Sequence, residues 1–270
     1  MSRVSWSQRV FFAAVGLLAL RVGFVSYFFP AEVVRVIPWQ VPPLHARFLG
    51  SIYLSAVAFV ICSLLARRWN EVRVMVPMIA IWTGMLLIVS FLHLDEFDYS
   101  RLQVWIWFGA YTLYPLIAVG LSWLQRADTG HLEASAPLPA WARFYLIAQG
   151  IVLTALGLAL LVAPSAMVSV WPWKATPLLL QIYSAPFLSY GLGSLLMARQ
   201  KVWEEVRGGV MAILVFSLLA FVASLLHRKL FSFAETPDRI WFAGFGIATA
   251  MLAVLSARAF AARSGVRPAD

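Results

Sequence analysis

The sequence has little charge and almost no cysteine. Charged residues make up 12% of its 270 positions, whereas hydrophobic residues make up 62%. Soluble domains are usually about one-quarter charged and about half apolar, and a soluble fold of this length has too little interior to bury so much apolar surface. The composition therefore excludes an ordinary soluble domain and indicates an integral membrane protein. The single cysteine, Cys62, excludes an intrachain disulfide.

The sequence also lacks the short motifs that identify many catalytic sites. It contains no phosphate-binding P-loop, no H-E-x-x-H zinc motif, no G-x-S-x-G nucleophile elbow and no EF-hand loop. These absences favour a binding, permeation or accessory role over hydrolysis, and they leave open whether the protein is an enzyme.

The chain repeats itself at a constant offset of 134 positions (150 − 16 = 134), which holds without a gap from Gly16 to Ser256. The residues that match at this offset include Gly16 and Gly150, Gly23 and Gly157, Pro38 and Pro172, Trp39 and Trp173, Trp69 and Trp203, His93 and His227, and Trp107 and Trp241. A long constant offset predicts tandem duplication of a whole structural unit.

Each copy contains four apolar runs that are long enough to cross a bilayer, for which about 20 helical residues are needed. The predicted spans lie near 10–29, 48–66, 74–92, 104–124, 144–162, 179–197, 209–227 and 240–258. We therefore predict an all-α membrane protein with eight transmembrane helices in two tandem four-helix units. The units occupy 1–127 and 144–261, with a cytoplasmic linker at 128–143 and a tail at 262–270. Because four spans return the chain to its starting side, both units should have the same orientation.

Basic residues are distributed unequally between the two sides of these spans. Of the 21 lysine and arginine residues, 13 lie on the side of the termini, 7 lie on the other side and Arg21 lies within a span. The positive-inside rule then places both termini in the cytoplasm. The net charge of +9 favours attachment to an anionic lipid leaflet rather than to nucleic acid. Arginine strongly outnumbers lysine, as in GC-rich bacterial genomes, which indicates a bacterial inner membrane.

The first outer loop of each unit, 33–43 and 168–177, is apolar and contains proline and tryptophan. Its prolines cannot continue a helix. Tryptophan is favoured at the membrane–water interface. These loops are therefore expected either to anchor the protein in the outer interface or to form a lid over an outward-facing cavity.

Arg21 is the residue with the highest expected cost of insertion. It lies nine positions before Pro30 (30 − 21 = 9), which places it about 14 Å inside the outer boundary at 1.5 Å of rise per residue. A charge at that depth costs about 2.5–3.5 kcal/mol on insertion scales. Two arrangements would stabilise it. One is an ion pair with Asp95, Glu96 or Asp98, and the other is an anionic ligand or lipid headgroup bound to the guanidinium.

The charges around this position are confined to the first unit. Where the first unit has Arg21, Arg47, Asp95, Glu96 and Asp98, the second has Ala155, Gln181, Lys229, Leu230 and Ser232. Because the copies share scaffold residues but not these charges, we expect a ligand site at the outer end of the first unit. The candidate ligand-binding residues are Arg21, Trp39, Arg47, Asp95, Asp98 and Trp107. In this hypothesis Arg21 binds the negative group of an anionic or amphipathic small molecule or lipid, and Asp95 or Asp98 adjusts the charge around that group. Trp39 covers the site. Trp107 forms a wall together with Tyr111 and Tyr114.

His93 and His227 support an alternative function. They are equivalent residues, each at the outer end of the third span of its unit. Two imidazoles can bind one haem iron or another metal ion, which would make the protein a haem- or quinone-linked redox protein. Two other interpretations of these histidines are open. They could lie at the helix ends at the depth of the lipid headgroups, or they could take part in proton transfer. Apart from haem in this alternative, the sequence favours no cofactor. A third hypothesis is a structural accessory subunit that binds another membrane protein.

Overall fold

The computed structural model describes residues 3–126 and 137–265, and this part of the chain is almost entirely helical. Its α-helices are α1 (Trp6–Phe28), α2 (Pro43–Leu65), α3 (Met75–Leu92), α4 (Leu102–Leu124), α5 (Ala140–Val162), α6 (Pro164–Val168), α7 (Pro177–Ala198), α8 (Trp203–Leu226) and α9 (Thr236–Gly265). Short 3-10 turns lie between them at Pro30–Arg35, Trp69–Glu71, Leu94–Glu96 and Arg228–Leu230. Most of the predicted linker and the end of the predicted tail lie outside the described residues.

The starts of several helices follow from local sequence. Ser5 caps α1, because its Oγ accepts a hydrogen bond from the Gln8 N–H at 3.3 Å while Gln8 Oε1 accepts one from the Ser5 N–H at 2.7 Å. Pro43 and Pro177 are the first residues of α2 and α7, where proline fits because the first N–H groups of a helix have no partner within it. Thr176 also caps α7, since its Oγ1 accepts from the Leu179 N–H at 3.3 Å.

Seven of the described helices, α1 to α5 with α8 and α9, are long and apolar enough to cross a membrane. The structure thus confirms a multi-pass, all-α membrane protein. The remaining predicted span, 179–197, corresponds to α7, which is not among the seven because Gln181, Pro186 and several serine and tyrosine residues interrupt its apolar run. In α7, 16 of 22 residues are buried. A helix enclosed by protein can carry polar side chains that a lipid-facing helix cannot.

The main helix contacts cross between the two halves of the chain. In each half the first long helix packs on the second, α1 on α2 and α5 on α7, and the third packs on the fourth, α3 on α4 and α8 on α9. The central contacts, by contrast, join α2 to α8 and α3 to α7. Buried apolar side chains from both halves therefore form one continuous core, rather than two separately closed bundles.

Two ion pairs join the segment before α3 to the start of α8 and so also cross between the halves. Arg73 pairs with Glu205 at 3.2 Å, and Arg207 pairs with Glu71. The two pairs are separated by 134 positions in both partners (207 − 73 and 205 − 71). Glu71 lies in the turn Trp69–Glu71 and also accepts hydrogen bonds from the backbone. Glu71 Oε1 accepts the backbone N–H groups of residues 67 and 68.

Other contacts repeat at the same separation. The Trp107 and Trp241 indoles donate to Ser90 Oγ at 2.8 Å and Ser224 Oγ at 2.9 Å. Glycines bring the first two long helices of each half together. A Cβ on Gly23 would lie 2.8 Å from the Leu54 nitrogen. The equivalent atom on Gly157 would lie 2.9 Å from the Leu188 nitrogen. Only glycine permits this backbone approach, because no side-chain atom fits at those distances.

Candidate ligand-binding cleft

A cleft with a polar compartment opens between α1, α2 and α4 in the first half of the chain. It contains about 580 Å³ of empty space, part of it open to the surroundings. Its walls are Leu18, Arg21, Val22, Arg35, Val36, Tyr53, Leu102, Gln103, Ile106, Trp107, Ala110 and Tyr111. Arg21, Arg35 and Gln103 give this compartment a cationic, hydrogen-bonding character.

A second, apolar compartment adjoins the first and contains about 590 Å³ of empty space, part of it also open to the surroundings. The two share Leu18, Tyr53 and Tyr111 as walls. The remaining residues around the apolar compartment are Val15, Ala19, Ala56, Phe59, Met78, Ile79, Trp82, Thr83, Tyr114, Ser189, Tyr190 and Ala212. The cleft therefore combines a cationic region with an apolar, partly aromatic region, which is the arrangement that an amphipathic anion requires.

Helical spacing explains why these side chains share one cleft. On α1, Val15, Leu18 and Arg21 are three positions apart and lie on one face. On α4, Trp107 and Tyr111 are four positions apart and also share a face. The small side chains of Ala19, Ala56 and Ala110 leave space between these faces.

Arg21 is exposed at the edge of the cleft. Within residues 3–126 and 137–265, no hydrogen bond or ion pair joins its guanidinium to another side chain. The ion pair with an acid of the first unit that the sequence offers as one alternative is therefore not formed. The other basic residue of the compartment, Arg35, pairs with Glu32 at 2.5 Å on the surface. Within the part of the chain that the structure describes, the charge of Arg21 is thus left without a counter-charge.

The predicted acidic residues lie away from this charge. Asp95 is exposed in the turn Leu94–Glu96. Asp98 is also exposed and accepts hydrogen bonds from Ser100 Oγ at 2.6 Å and from the Ser100 N–H at 3.1 Å. These bonds, with the nearby Arg101 charge, hold the pKa of the Asp98 carboxyl below its usual value. Neither carboxyl lines the cleft.

Trp39 covers a wall of the cleft without lining it. Its ring is half-buried and packs edge-on against Trp107 at 5.2 Å and Phe97 at 5.4 Å between centroids. Arg101 holds the loop that carries Trp39, because its guanidinium donates to the Ile37 carbonyl at 3.3 Å and also to the carbonyls of residues 34 and 38. The loop is therefore fixed by a side chain of the neighbouring α4 segment.

Arg47 does not line the cleft with Arg21 and instead contacts His227. Its Nη1 donates to His227 Nε2 at 2.5 Å, and the equivalent residue Gln181 contacts His93 Nε2, also at 2.5 Å. Burial, and secondarily the Arg47 charge, lower the pKa of His227, so its imidazole is neutral at pH 7 and Nε2 can accept. Each histidine thus joins one half of the chain to the other, and the structure does not bring the two imidazoles onto a common partner.

The sequence predicted Tyr111 as a wall of the site, but not the other polar groups in and near the cleft. The hydroxyls of Tyr53 and Tyr111 are hydrogen-bonded to each other, and Ser55 is hydrogen-bonded to Tyr190. Their only sequence signal is a tyrosine in the middle of an apolar run, which is also common in ordinary packing. A second missed group is His45, a buried residue whose ring nitrogens are hydrogen-bonded to the Tyr183 hydroxyl at 2.6 Å and to the Lys174 carbonyl at 2.8 Å.

No family model, curated protein or solved structure matches the chain. Among the described residues, no group of three or more histidine, cysteine, aspartate and glutamate side chains is placed to hold a metal ion. The chemistry available in the cleft is that of a guanidinium, an amide and several aromatic rings. These groups bind and orient a molecule through charge, hydrogen bonds and ring contacts.

Proposed function

We propose that this multi-pass membrane protein binds an anionic amphiphile in the cleft of its first half, acting in binding, permeation or as an accessory subunit. The observation that carries the proposal is the guanidinium of Arg21, which has no counter-charge among the described residues and lies beside an apolar, partly aromatic compartment. An arginine in a membrane-spanning helix costs about 2.5–3.5 kcal/mol on insertion scales. An external anion would offset that cost, and arginine can hold a carboxylate or phosphate through two parallel hydrogen bonds.

The proposed architecture is two tandem units of the same orientation, with eight spans including α7 and with both termini in the cytoplasm of a bacterial inner membrane. Contacts that recur 134 positions apart support it, as in the pairs Arg73–Glu205 and Arg207–Glu71. Exchange of partners between the halves is what an axis along the membrane normal would produce. In this orientation the Arg21 cleft faces the outer leaflet.

Within the proposed site, Arg21 binds the negative group and Gln103 supplies a hydrogen bond beside it. Trp107 and Tyr53 form walls where the two compartments meet. Trp39 holds Trp107 in place from the other side. The sequence-based set also contains Arg47, Asp95 and Asp98, which do not line the cleft. We therefore assign them only an effect on the electrostatic potential at the cleft.

Binding of dodecanoate, a single-chain carboxylate, tests this proposal. A ligand that binds only the folded protein raises its thermal stability, so dodecanoate should raise the unfolding temperature of the wild-type protein in neutral detergent. Arg21→Met should abolish this shift while leaving the unfolding temperature without ligand equal or higher, since it removes an uncompensated charge. Dodecanol, which has the same chain without the charge, should give no shift with either protein.

Ala155→Met is the matched control, because residue 155 occupies the equivalent position in the second half (155 − 21 = 134). It should leave the dodecanoate shift unchanged. If Arg21→Met unfolds the protein, the arginine has a structural role and the proposal is wrong. The proposal is equally wrong if Arg21→Met binds dodecanoate as well as the wild type does.

A further inference from the structure

The loop between α1 and α2 covers one end of the cleft. Arg35 and Val36 of this loop are among the walls of the polar compartment. Two side chains at the start of α4 bind the loop, because Gln103 Nε2 donates to the Arg35 carbonyl at 3.4 Å and the Arg101 guanidinium donates to the Ile37 carbonyl at 3.3 Å. The loop therefore bridges from α1 to α4 and forms a roof over this end of the cleft.

α1 and α4 also meet at a second level, farther from the loop. The Tyr114 hydroxyl donates to the Ala14 carbonyl at 3.4 Å, and the rings of Tyr114 and Phe11 lie edge to face with centroids 6.0 Å apart. Ala14 lies seven residues before Arg21 (21 − 14 = 7), which is about 10 Å along the helix at 1.5 Å of rise per residue. The two helices are therefore joined on both sides of the level of Arg21, by the loop on one side and by Tyr114 on the other.

Between these two levels the cleft opens sideways through the gap between α1 and α4. Three of its wall residues are exposed, namely Arg21 on α1 with Leu102 and Ile106 on α4, and the two apolar ones are 69% and 38% exposed. Both helices are long and apolar enough to cross a membrane, so the apolar side chains that they expose face lipid. The gap thus connects the cleft with the bilayer.

A lipid in this gap would find the two compartments at the depths of its own two parts. Gln103 is the second residue of α4, and Arg35 ends the turn Pro30–Arg35, so the polar compartment extends to the end of the helices. The apolar compartment extends the other way, to Val15 and Tyr114, toward the middle of both helices. The first depth suits a charged headgroup and the second suits a hydrocarbon chain.

Resting on the proposed function, we infer that the ligand of the cleft is a diacyl phospholipid of the bilayer with a net negative headgroup. Its phosphate binds Arg21, whose planar guanidinium can donate to two phosphate oxygens at once. One acyl chain lies in the apolar compartment, and the other stays in the bilayer against Leu102 and Ile106. A zwitterionic headgroup has the same phosphate but brings its own cation close to Arg21 and Arg35, which weakens the attraction.

The test titrates the full-length protein in neutral detergent with dipalmitoyl phosphatidylglycerol or dipalmitoyl phosphatidylcholine and counts bound lipids by native mass spectrometry. The two lipids share their chains and their phosphate and differ in net charge. We expect the wild type to bind its first phosphatidylglycerol about tenfold more tightly than its first phosphatidylcholine. Arg21→Met should remove this preference, and Ala155→Met, the matched control, should retain it. Equal affinities in the wild type, or an unchanged preference in Arg21→Met, would overturn the inference.

Ile106→Trp tests the gap itself, because a larger side chain at the rim obstructs the path of an acyl chain. It should weaken phosphatidylglycerol binding about fivefold or more. Ile240→Trp is the control, since residue 240 is the equivalent exposed position on α9 (240 − 106 = 134), and it should leave the affinity unchanged. Undiminished binding by a folded Ile106→Trp protein contradicts the position of the chain in the gap.

The dodecanoate assay separates this inference from the proposed function on which it rests. A dodecanoate shift without a preference for phosphatidylglycerol refutes the phospholipid ligand and leaves the anion site in place. Absence of both refutes the proposed function as well. Inorganic phosphate should give no shift, because it has no chain to place in the apolar compartment, and a phosphate shift as large as that with dodecanoate would assign the site to a free anion instead.

Discussion

Removal of Arg73 should destabilise the protein strongly, because it deprives a fully buried carboxylate of its cation. The Glu205 side chain is 0% exposed, and that of Arg73 is 19% exposed. Their 3.2 Å contact joins the start of α8 to the segment before α3. Glu205 also accepts the Lys201 N–H at 3.4 Å, a bond that does not replace the lost charge. Arg73→Met therefore removes a positive charge from beside a buried carboxylate at the contact between the two halves.

The expected loss is about 3 kcal/mol, the lower end of the range for breaking a buried ion pair, because Arg73 is partly exposed. That corresponds to roughly a hundredfold change in the unfolding equilibrium. Replacing both partners with apolar residues, Arg73→Met with Glu205→Leu, should recover most of the loss, since neither charge is then left in the interior. The double variant should thus be more stable than the single one.

Unfolding in mixed detergent micelles, followed by far-UV circular dichroism, measures this effect. Arg126→Met is the control, because Arg126 donates to the Trp123 carbonyl of its own helix at 2.9 Å and lies on the surface. It should change the unfolding free energy by no more than about 0.5 kcal/mol. If Arg73→Met costs less than about 1 kcal/mol, or if the double variant is no better, the crosswise ion pair does not hold the halves together as described.

Three further outcomes follow from the packing and from the ionisable groups. Gly50→Ala should lower the unfolding temperature, because the new Cβ would lie 2.6 Å from the backbone of α1, whereas Gly109→Ala should not, since no atom lies within 4 Å. Phe48→Ala, at a side chain that is 1% exposed among the rings of Trp173, Tyr183 and Trp241, should cost about 3–5 kcal/mol. Phe144→Ala, at a side chain that is 74% exposed, should cost far less in the same unfolding assay. Because the pKa of His227 is lowered in the folded state, the unfolded state binds more protons. The free energy of unfolding should therefore decrease as the pH falls below about 6.5, until the folded-state pKa is passed. Between about pH 7.5 and about pH 5.5 the unfolding midpoint of the wild type should therefore fall more than that of His227→Gln, and equal falls would contradict the assignment.

Helix positions were predictable from the sequence to within a few residues where lipid-facing apolar runs define them. The predicted span 74–92 corresponds to Met75–Leu92, and 104–124 corresponds to Leu102–Leu124. Two helices begin clearly before the predicted position: α8 at Trp203 rather than near 209, and α2 at Pro43 rather than near 48. Hydropathy locates the part of a helix that crosses lipid, whereas α2 continues into a polar region that contains His45 and Arg47.

The candidate site was only partly predictable. Arg21 and Trp107 were predicted to line a site and do line the cleft. Tyr53 and Trp82 were not predicted, because an aromatic residue in an apolar run has the same sequence signature whether it faces a cleft, a neighbouring helix or lipid. Arg47 was predicted as a binding residue, but the structure places it against His227 in the other half.

The sequence by itself determined that this is a multi-pass helical membrane protein, because the transfer of apolar side chains from water to lipid sums over local runs of residues. It also determined that Arg21 stands in one copy only, since Ala155 occupies the matching position. Only the tertiary structure decided which helices meet across the halves, and therefore which charges are paired and which aromatic rings pack against one another. Those outcomes depend on contacts between residues more than a hundred positions apart, such as Phe48 and Trp241, and nothing in a local run of sequence specifies such a contact.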